Sequence, residues 1–228
     1  MNTDTILYLD ERATRQACRH LDPAAVVVAA HRRGVPHSMA TPVVSAVPGD
    51  PRLTVLVDRW LWLDVCLISS AYLAGLRVAA TAAALAAHLL RGLPVTAAVL
   101  GATPETVEAL LHALPGLVHL SVYGVMPGLP VLEAARRFGV RVSAVADAEE
   151  AVYGANLIVG TPPFATLSPD AVVLAAGGKL RLSDVLDESP DEGLRVVDPD
   201  DGGLGADALA VEIYRTAVRL NLGVRLPR

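Results

Sequence analysis

From Val95 onward the chain alternates short, continuously apolar runs with helical segments, and this alternation limits its fold more than any other feature. The apolar runs fall at residues 95–100, 118–123, 140–145, 156–160, 171–175 and 194–197. Helical patterning separates them at about 104–114, 129–138, 147–153 and 182–187. Strands that are apolar on both faces need helices over both faces, which is the situation inside a parallel sheet. The order strand, helix, strand then predicts a doubly wound parallel α/β sheet. Composition agrees. Hydrophobic residues make up 53% of the chain and aromatic residues only 4%, so the core is built from Ala, Val and Leu, which favours close helix–sheet packing over a β-sandwich.

The first part of the chain follows a different rhythm. "TILYLDERATRQACRHLD" reads as a strand at Ile6–Leu9 and a helix that Asp10 caps. "AAVVVAAHRRG" fits helix or strand, and the next stretch to Arg52 is broken by four prolines. "LTVLVDRWLWLDVCLIS", residues 53–69, is rich in β-formers and predicts a hairpin turning near Asp58–Trp60. A long alanine-rich helix follows at Ala71–Arg91, closed by Gly92 and Pro94. Arg77 lies inside it, and a charge within an apolar span is costly in lipid, so this run reads as a buried helix and no membrane partner is expected. The last segment, "GADALAVEIYRTAVRLNLG", is an amphipathic helix.

These patterns divide the chain into residues 1–92 as a small N-terminal α+β domain, 93–204 as a nucleotide-binding domain, and 205–228 as a helix returning to the first. A formal net charge of −5 gives no electrostatic footprint for nucleic acid. Cys18 and Cys66 have no metal or redox spacing and read as buried thiols of a cytoplasmic protein. The six histidines show no ligand spacing, so no metal is expected. The acidic "DPDDGGLGAD" loop has Leu209 where a calcium loop needs glutamate.

The turn after the first apolar run, Gly101, Ala102, Thr103, Pro104 and Glu105, stands where a dinucleotide's phosphates meet a helix N-terminus. A full phosphate-binding turn carries three glycines, for the bend, for backbone approach to the pyrophosphate and for helix–strand packing. Here only Gly101 remains, with Thr103 and Thr106 at the other two places. Thr103 also fits as a helix N-cap with Pro104 at the first helical position, which explains the turn without a ligand. After the next strand, Gly124, Val125 and Met126 stand where an acidic residue would bind a ribose hydroxyl or an arginine a 2′-phosphate.

The order of these elements and several local phrases resemble the ornithine cyclodeaminase/μ-crystallin family. The likeness runs through "LTVLVDRWLWLDVCLISSAYLAGLRVAATAAALAAHLL", "AVLGATPETVEALL", "DAEEAVYGANLIVGTPPF" and "GADALAVEIYRTAVRLNLGVRL", and "ILYLDERATR" fits the family's opening strand and helix. It implies a Rossmann domain beside a smaller domain that mediates dimerisation and helps hold an amino or imino acid. It implies NAD or NADP as cofactor, Arg77 as the residue holding the substrate carboxylate, and Thr161 at a strand end facing the cofactor.

The departures are as informative. The chain is shorter than typical members, mostly in its first domain. The family's proline-linked arginine has only His37 near its place, its substrate lysine has no counterpart, and Val78 replaces the threonine after Arg77. Where the family places its catalytic aspartate, this chain has Gly177 and Gly178, followed by Lys179. Glycine cannot exchange a proton, so ornithine cyclodeamination in the family's manner is not expected.

Two readings follow. In one, the chain is an NAD(P)-linked oxidoreductase or imine reductase for a small amino or imino acid, with Arg77 on a carboxylate and Lys179 as proton donor. In the other, it is a catalytically degenerate subunit whose Trp60 and Trp62 meet a protein partner, in a homodimer or a heteromeric complex. An internal carboxylate, Asp58 or Asp64, would serve Arg77 as well as a ligand would.

Overall fold

The computed structural model of the chain describes residues 5–33, 43–47, 50–58, 63–163, 167–187, 193–199 and 204–227. His37, Trp60 and Trp62 lie outside these residues. The chain opens with β1 (Thr5–Leu9), α1 (Glu11–Cys18), α2 (Pro23–Arg33), β2 (Val43–Val47), β3 (Asp50–Asp58), β4 (Leu63–Ser69) and α3 (Ser70–Leu85). It continues with β5 (Val95–Leu100), α4 (Pro104–Ala113), β6 (Leu117–Tyr123), α5 (Leu129–Phe138), β7 (Arg141–Val145), α6 (Ala148–Val152) and β8 (Leu157–Val159). Then come β9 (Val172–Leu174), β10 (Leu180–Arg181), α7 (Leu182–Asp187), β11 (Arg195–Asp198), α8 (Leu204–Leu220) and β12 (Val224–Pro227). Two compact units result, Met1–Arg77 with Gly203–Arg228, and Val78–Gly202. The division falls inside α3, ahead of the boundary after Gly92 that the sequence pattern marks.

The first unit contains a five-stranded sheet in the order β12-β1-β4-β3-β2. β1 runs parallel to β4, and the other pairings are antiparallel. Asp10 starts α1 by accepting the Ala13 N–H at 2.7 Å, the cap its sequence position predicts. The "AAVVVAAHRRG" segment resolves to helix, and α8 packs on α1 and α2. The hairpin of β3 and β4 pairs Leu53 with Ser69 and Asp58 with Leu63. β12 pairs with β1 along its length, beginning just after Gly223. A Cβ at Gly223 would lie 2.6 Å from the Tyr8 carbonyl oxygen, so the chain passes too close to β1 for any side chain there.

The second unit holds a seven-stranded sheet in the order β10-β11-β9-β8-β5-β6-β7. All its pairings are parallel. Strand order reverses between β5 and β8, which is where open α/β sheets leave a crevice at the strands' C-terminal ends. The core under α6 is made of small residues. Ala98, Ala151, Val152, Ala155, Ile158, Ala171, Val173 and Ala175 are all buried together, and alanine at the contact lets a helix approach the sheet closely. α4 packs on α5, where the rings of His112 and Phe138 meet edge to face at 5.1 Å. Asn156 ties the strands' N-terminal ends, accepting the Thr96 N–H at 3.0 Å and donating to the Pro94 carbonyl at 2.9 Å.

The 70–90 segment is helical throughout, and its last turn, Ala86–Leu90, widens to π-helical form. It ends at Arg91 and Gly92, which both take positive φ (45° and 83°), so a non-glycine residue shares the closing turn. Ser70–Leu90 is one helix long and apolar enough to cross a membrane by length and composition, and two thirds of that span is buried inside the fold (67%).

Candidate active site

The turns that leave β5, β6, β8 and β9 stand at the C-terminal ends of the strands flanking the switch point, where open α/β sheets place their ligands. Gly101 leaves β5 with φ 67°, and its N–H donates to the Tyr123 carbonyl at 2.9 Å, fastening this turn to the end of β6. Thr103 is the N-cap of α4. Its Oγ1 accepts the Thr106 N–H at 3.3 Å and lies 3.2 Å from the Thr106 hydroxyl. Pro104 has no N–H to offer, and Val107 N–H bonds the Thr103 carbonyl at 3.1 Å. Of the amides that would face a phosphate at this helix end, those of Ala102, Thr103 and Glu105 have no partner among the described residues. Thr103 and Pro104 are exposed, Ala102 and Glu105 half-buried. The Glu105 carboxylate in the first turn suits the helix dipole but opposes a second anion.

Gly160, the residue after β8, sits at the switch point and was not singled out in the sequence. A Cβ there would stand 2.5 Å from the Leu100 carbonyl oxygen, and its φ of 109° is one that side chains rarely adopt. Its only signal in the sequence is that a glycine closes the apolar run at 156–160. Thr161 comes next and is exposed, followed by the buried Pro162. The glycine at 160 thus lets β8 end pressed against Leu100 of β5, and an exposed hydroxyl-bearing residue follows it.

After β9 the chain turns through Gly177 and Gly178. A Cβ at Gly178 would lie 2.5 Å from the Val197 carbonyl carbon and 2.6 Å from the Asp198 nitrogen, so this loop is pressed on β11. No carboxylate side chain fits at that position. The Asp198 carboxylate instead accepts the Gly177 N–H at 2.9 Å, which anchors the loop from the neighbouring strand. Lys179 follows, exposed and without a hydrogen bond to another described residue.

In the first unit, Arg77 lies on α3 and is half-buried. Among the described residues its guanidinium makes no ion pair or hydrogen bond, so the Asp58 or Asp64 partner that the sequence also allowed is not used. Cys18 and Cys66 are buried free thiols whose pKa values burial pushes up to about 12. No group of three His, Cys, Asp or Glu residues able to hold a metal ion occurs among the described residues.

The second unit is thus a Rossmann-like parallel sheet whose strand order reverses between β5 and β8. No protein-family model matches the sequence, and no curated protein matches it significantly. Solved structures do. The crystal structure of CmnK aligns over 98% of each chain with 19% identity and a TM-score of 0.69. The Δ1-pyrroline-2-carboxylate reductase of Thermococcus litoralis, solved with NADH and L-proline, aligns over 97% of this chain and 100% of its own at 11% identity and TM-score 0.70. The probable ornithine cyclodeaminase from Bordetella pertussis Tohama I aligns over 96% and 99% at 17% identity and TM-score 0.65. At these identities the likeness is one of fold. The resemblance read from the sequence therefore holds in the architecture of the whole chain.

Proposed function

We propose that this chain is a divergent member of the ornithine cyclodeaminase/μ-crystallin family that acts as an NAD(P)-linked oxidoreductase on a small amino or imino acid. The observation that carries this reading is the turn at the sheet's switch point, where Gly101 leaves β5 into the start of α4 and the Ala102, Thr103 and Glu105 amides have no partner among the described residues. The residues present fit a pyridine dinucleotide. Gly101, Ala102, Thr103, Pro104 and Glu105 form the phosphate turn, and Thr161 stands beside the switch point. The fit is incomplete at the phosphates, since few amides remain free and Glu105 adds negative charge, so binding is weak. When bound, the coenzyme supplies the hydride chemistry, which asks less of the protein than deamination does.

Arg77 binds a carboxylate. Its half-buried guanidinium has no protein partner among the described residues, and a bidentate acid group satisfies it. Lys179 holds the proton that an imine nitrogen takes up on reduction. Neighbours of the same fold give this reading its substrate class, because one of them was solved with NADH and L-proline.

Thermal shift with NAD⁺, NADH, NADP⁺ and NADPH tests the reading. A ligand at a hundredfold its dissociation constant stabilises a protein by about 2.7 kcal/mol. A site of millimolar affinity gives a small shift, so the ligands are tested up to about 20 mM, and no shift with any of the four there contradicts it. Replacing Lys179→Met and finding imine reduction unchanged removes the proton-donor role alone.

A second reading has its own support. The loop after β9 carries no carboxylate, and Gly178 is pressed on β11 so closely that no side chain fits there, which is what a catalytically degenerate subunit of a protein complex would show. Coenzyme binding without turnover on any cyclic imine or amino acid, with co-purification of a second chain, would favour it.

A further inference from the structure

We infer that the crevice does not discriminate between NADH and NADPH, and that Val125 and Met126 are the positions that would set such a preference. The inference rests on the proposed binding of a pyridine dinucleotide at the switch point. Coenzyme choice is made where the strand beside the phosphate turn ends. A carboxylate there takes the ribose hydroxyls and repels a 2′-phosphate, and an arginine attracts that phosphate. In this chain that place is the end of β6.

From Tyr123 to Pro130 the sequence reads Tyr, Gly, Val, Met, Pro, Gly, Leu, Pro, with no charged residue. Gly124 is poorly suited to a side chain. Its φ is 84°, and a Cβ would meet Gly101 Cα at 3.3 Å and Gly101 nitrogen at 3.5 Å. The hydrogen bond from Gly101 N–H to the Tyr123 carbonyl holds the two turns in that contact. The first positions able to reach a ribose are therefore Val125, half-buried, and Met126, 80% exposed.

The charges on neighbouring elements do not replace the missing group. Asp147 is occupied as the cap of α6, bonding the Glu149 N–H at 3.0 Å. Glu133 is exposed on α5, and Arg136 and Arg137 lie in the last turn of that helix, away from its start beside β6. Glu105 sits on the pyrophosphate side and weakens both coenzymes alike. A 2′-phosphate at this edge stays in water beside the exposed Met126, gaining no partner and losing no hydration. The two coenzymes then differ little in affinity.

The test is equilibrium binding of NADH and NADPH to the whole protein, followed by nicotinamide fluorescence at about 0.15 M salt and again at low salt. The expected ratio of dissociation constants lies within about threefold at both. Val125→Asp shifts the ratio towards NADH by about tenfold, and Met126→Arg shifts it towards NADPH by a similar factor. Met126 is exposed enough that its replacement leaves folding intact should the Val125 variant fail. A wild-type preference above about tenfold either way overturns the inference and leaves the oxidoreductase reading standing. A ratio that neither variant moves overturns it as well, and absence of binding by both coenzymes overturns the inference together with the reading beneath it.

Discussion

The Thr103 hydroxyl accepts the Thr106 N–H at 3.3 Å, so the helix that would greet a phosphate is already capped by its own residue. This relationship predicts opposite effects on stability and binding. Thr103→Gly costs only a few tenths of a kcal/mol, because glycine is a tolerated cap, whereas Thr103→Ala costs about 1 kcal/mol. Thr103→Gly also frees the Thr106 amide and removes a branched side chain, and NADH binding tightens by about tenfold, one charge-assisted hydrogen bond's worth. Urea denaturation and fluorescence titration of the two variants check both halves.

The switch point gives the second prediction. Gly160→Ala places a methyl 2.5 Å from the Leu100 carbonyl oxygen on a residue with φ 109°. Backbone strain of this kind costs about 1–3 kcal/mol, and the collision with β5 adds to it. Chemical denaturation should show a loss of at least about 3 kcal/mol, with coenzyme binding abolished even where the variant folds.

Arg77 separates a ligand role from a structural one. Its guanidinium has no partner among the described residues, so Arg77→Met leaves thermal stability unchanged or slightly raised. If it holds a substrate carboxylate, the KM for a cyclic imino acid rises by about a hundredfold, the equivalent of roughly 3 kcal/mol of charged hydrogen bonding. NADH affinity stays where it was.

The buried thiols predict an alkaline limit. In the folded chain Cys18 and Cys66 titrate near 12, against about 8.5 in an unfolded one. Between those values the unfolded chain has lost protons that the native chain keeps, so stability falls as pH rises through that window and is fully present below it. Denaturation midpoints at pH 8 and pH 10.5 should differ in that direction, and the difference should shrink in a Cys18→Ala, Cys66→Ala double variant. At pH 8 both thiols should resist a thiol reagent until the protein is unfolded.

Much of this fold could be read from local chemistry. Six of the seven strands of the second unit stand out as largely apolar runs, whereas the two-residue β10 gives no such signal, and the caps at Asp10 and Thr103 follow from residue type and position. β2 and β12 could not be read that way. β12, "VRLP", is four largely exposed residues ending in proline, too short to signal a strand, and exists because β1 offers it an edge. The helix-or-strand ambiguity of "AAVVVAAHRRG" was settled by packing against α8, a contact across most of the chain. The same holds in the crevice. Loss of the glycines and of the acidic group was visible in the sequence, but the pressure of Gly160 on Leu100 and of Gly178 on β11 depends on which strands become neighbours.

The central claim is that an attenuated pyridine-nucleotide site survives at the switch point of the second unit. Calorimetric titration of the whole protein with NADH tests it most directly. One saturable site with a dissociation constant of about 0.1–2 mM, roughly 3.7–5.5 kcal/mol of binding, is the predicted result. No saturable heat up to about 10 mM would contradict the site, and a dissociation constant below about 1 μM would contradict its attenuation.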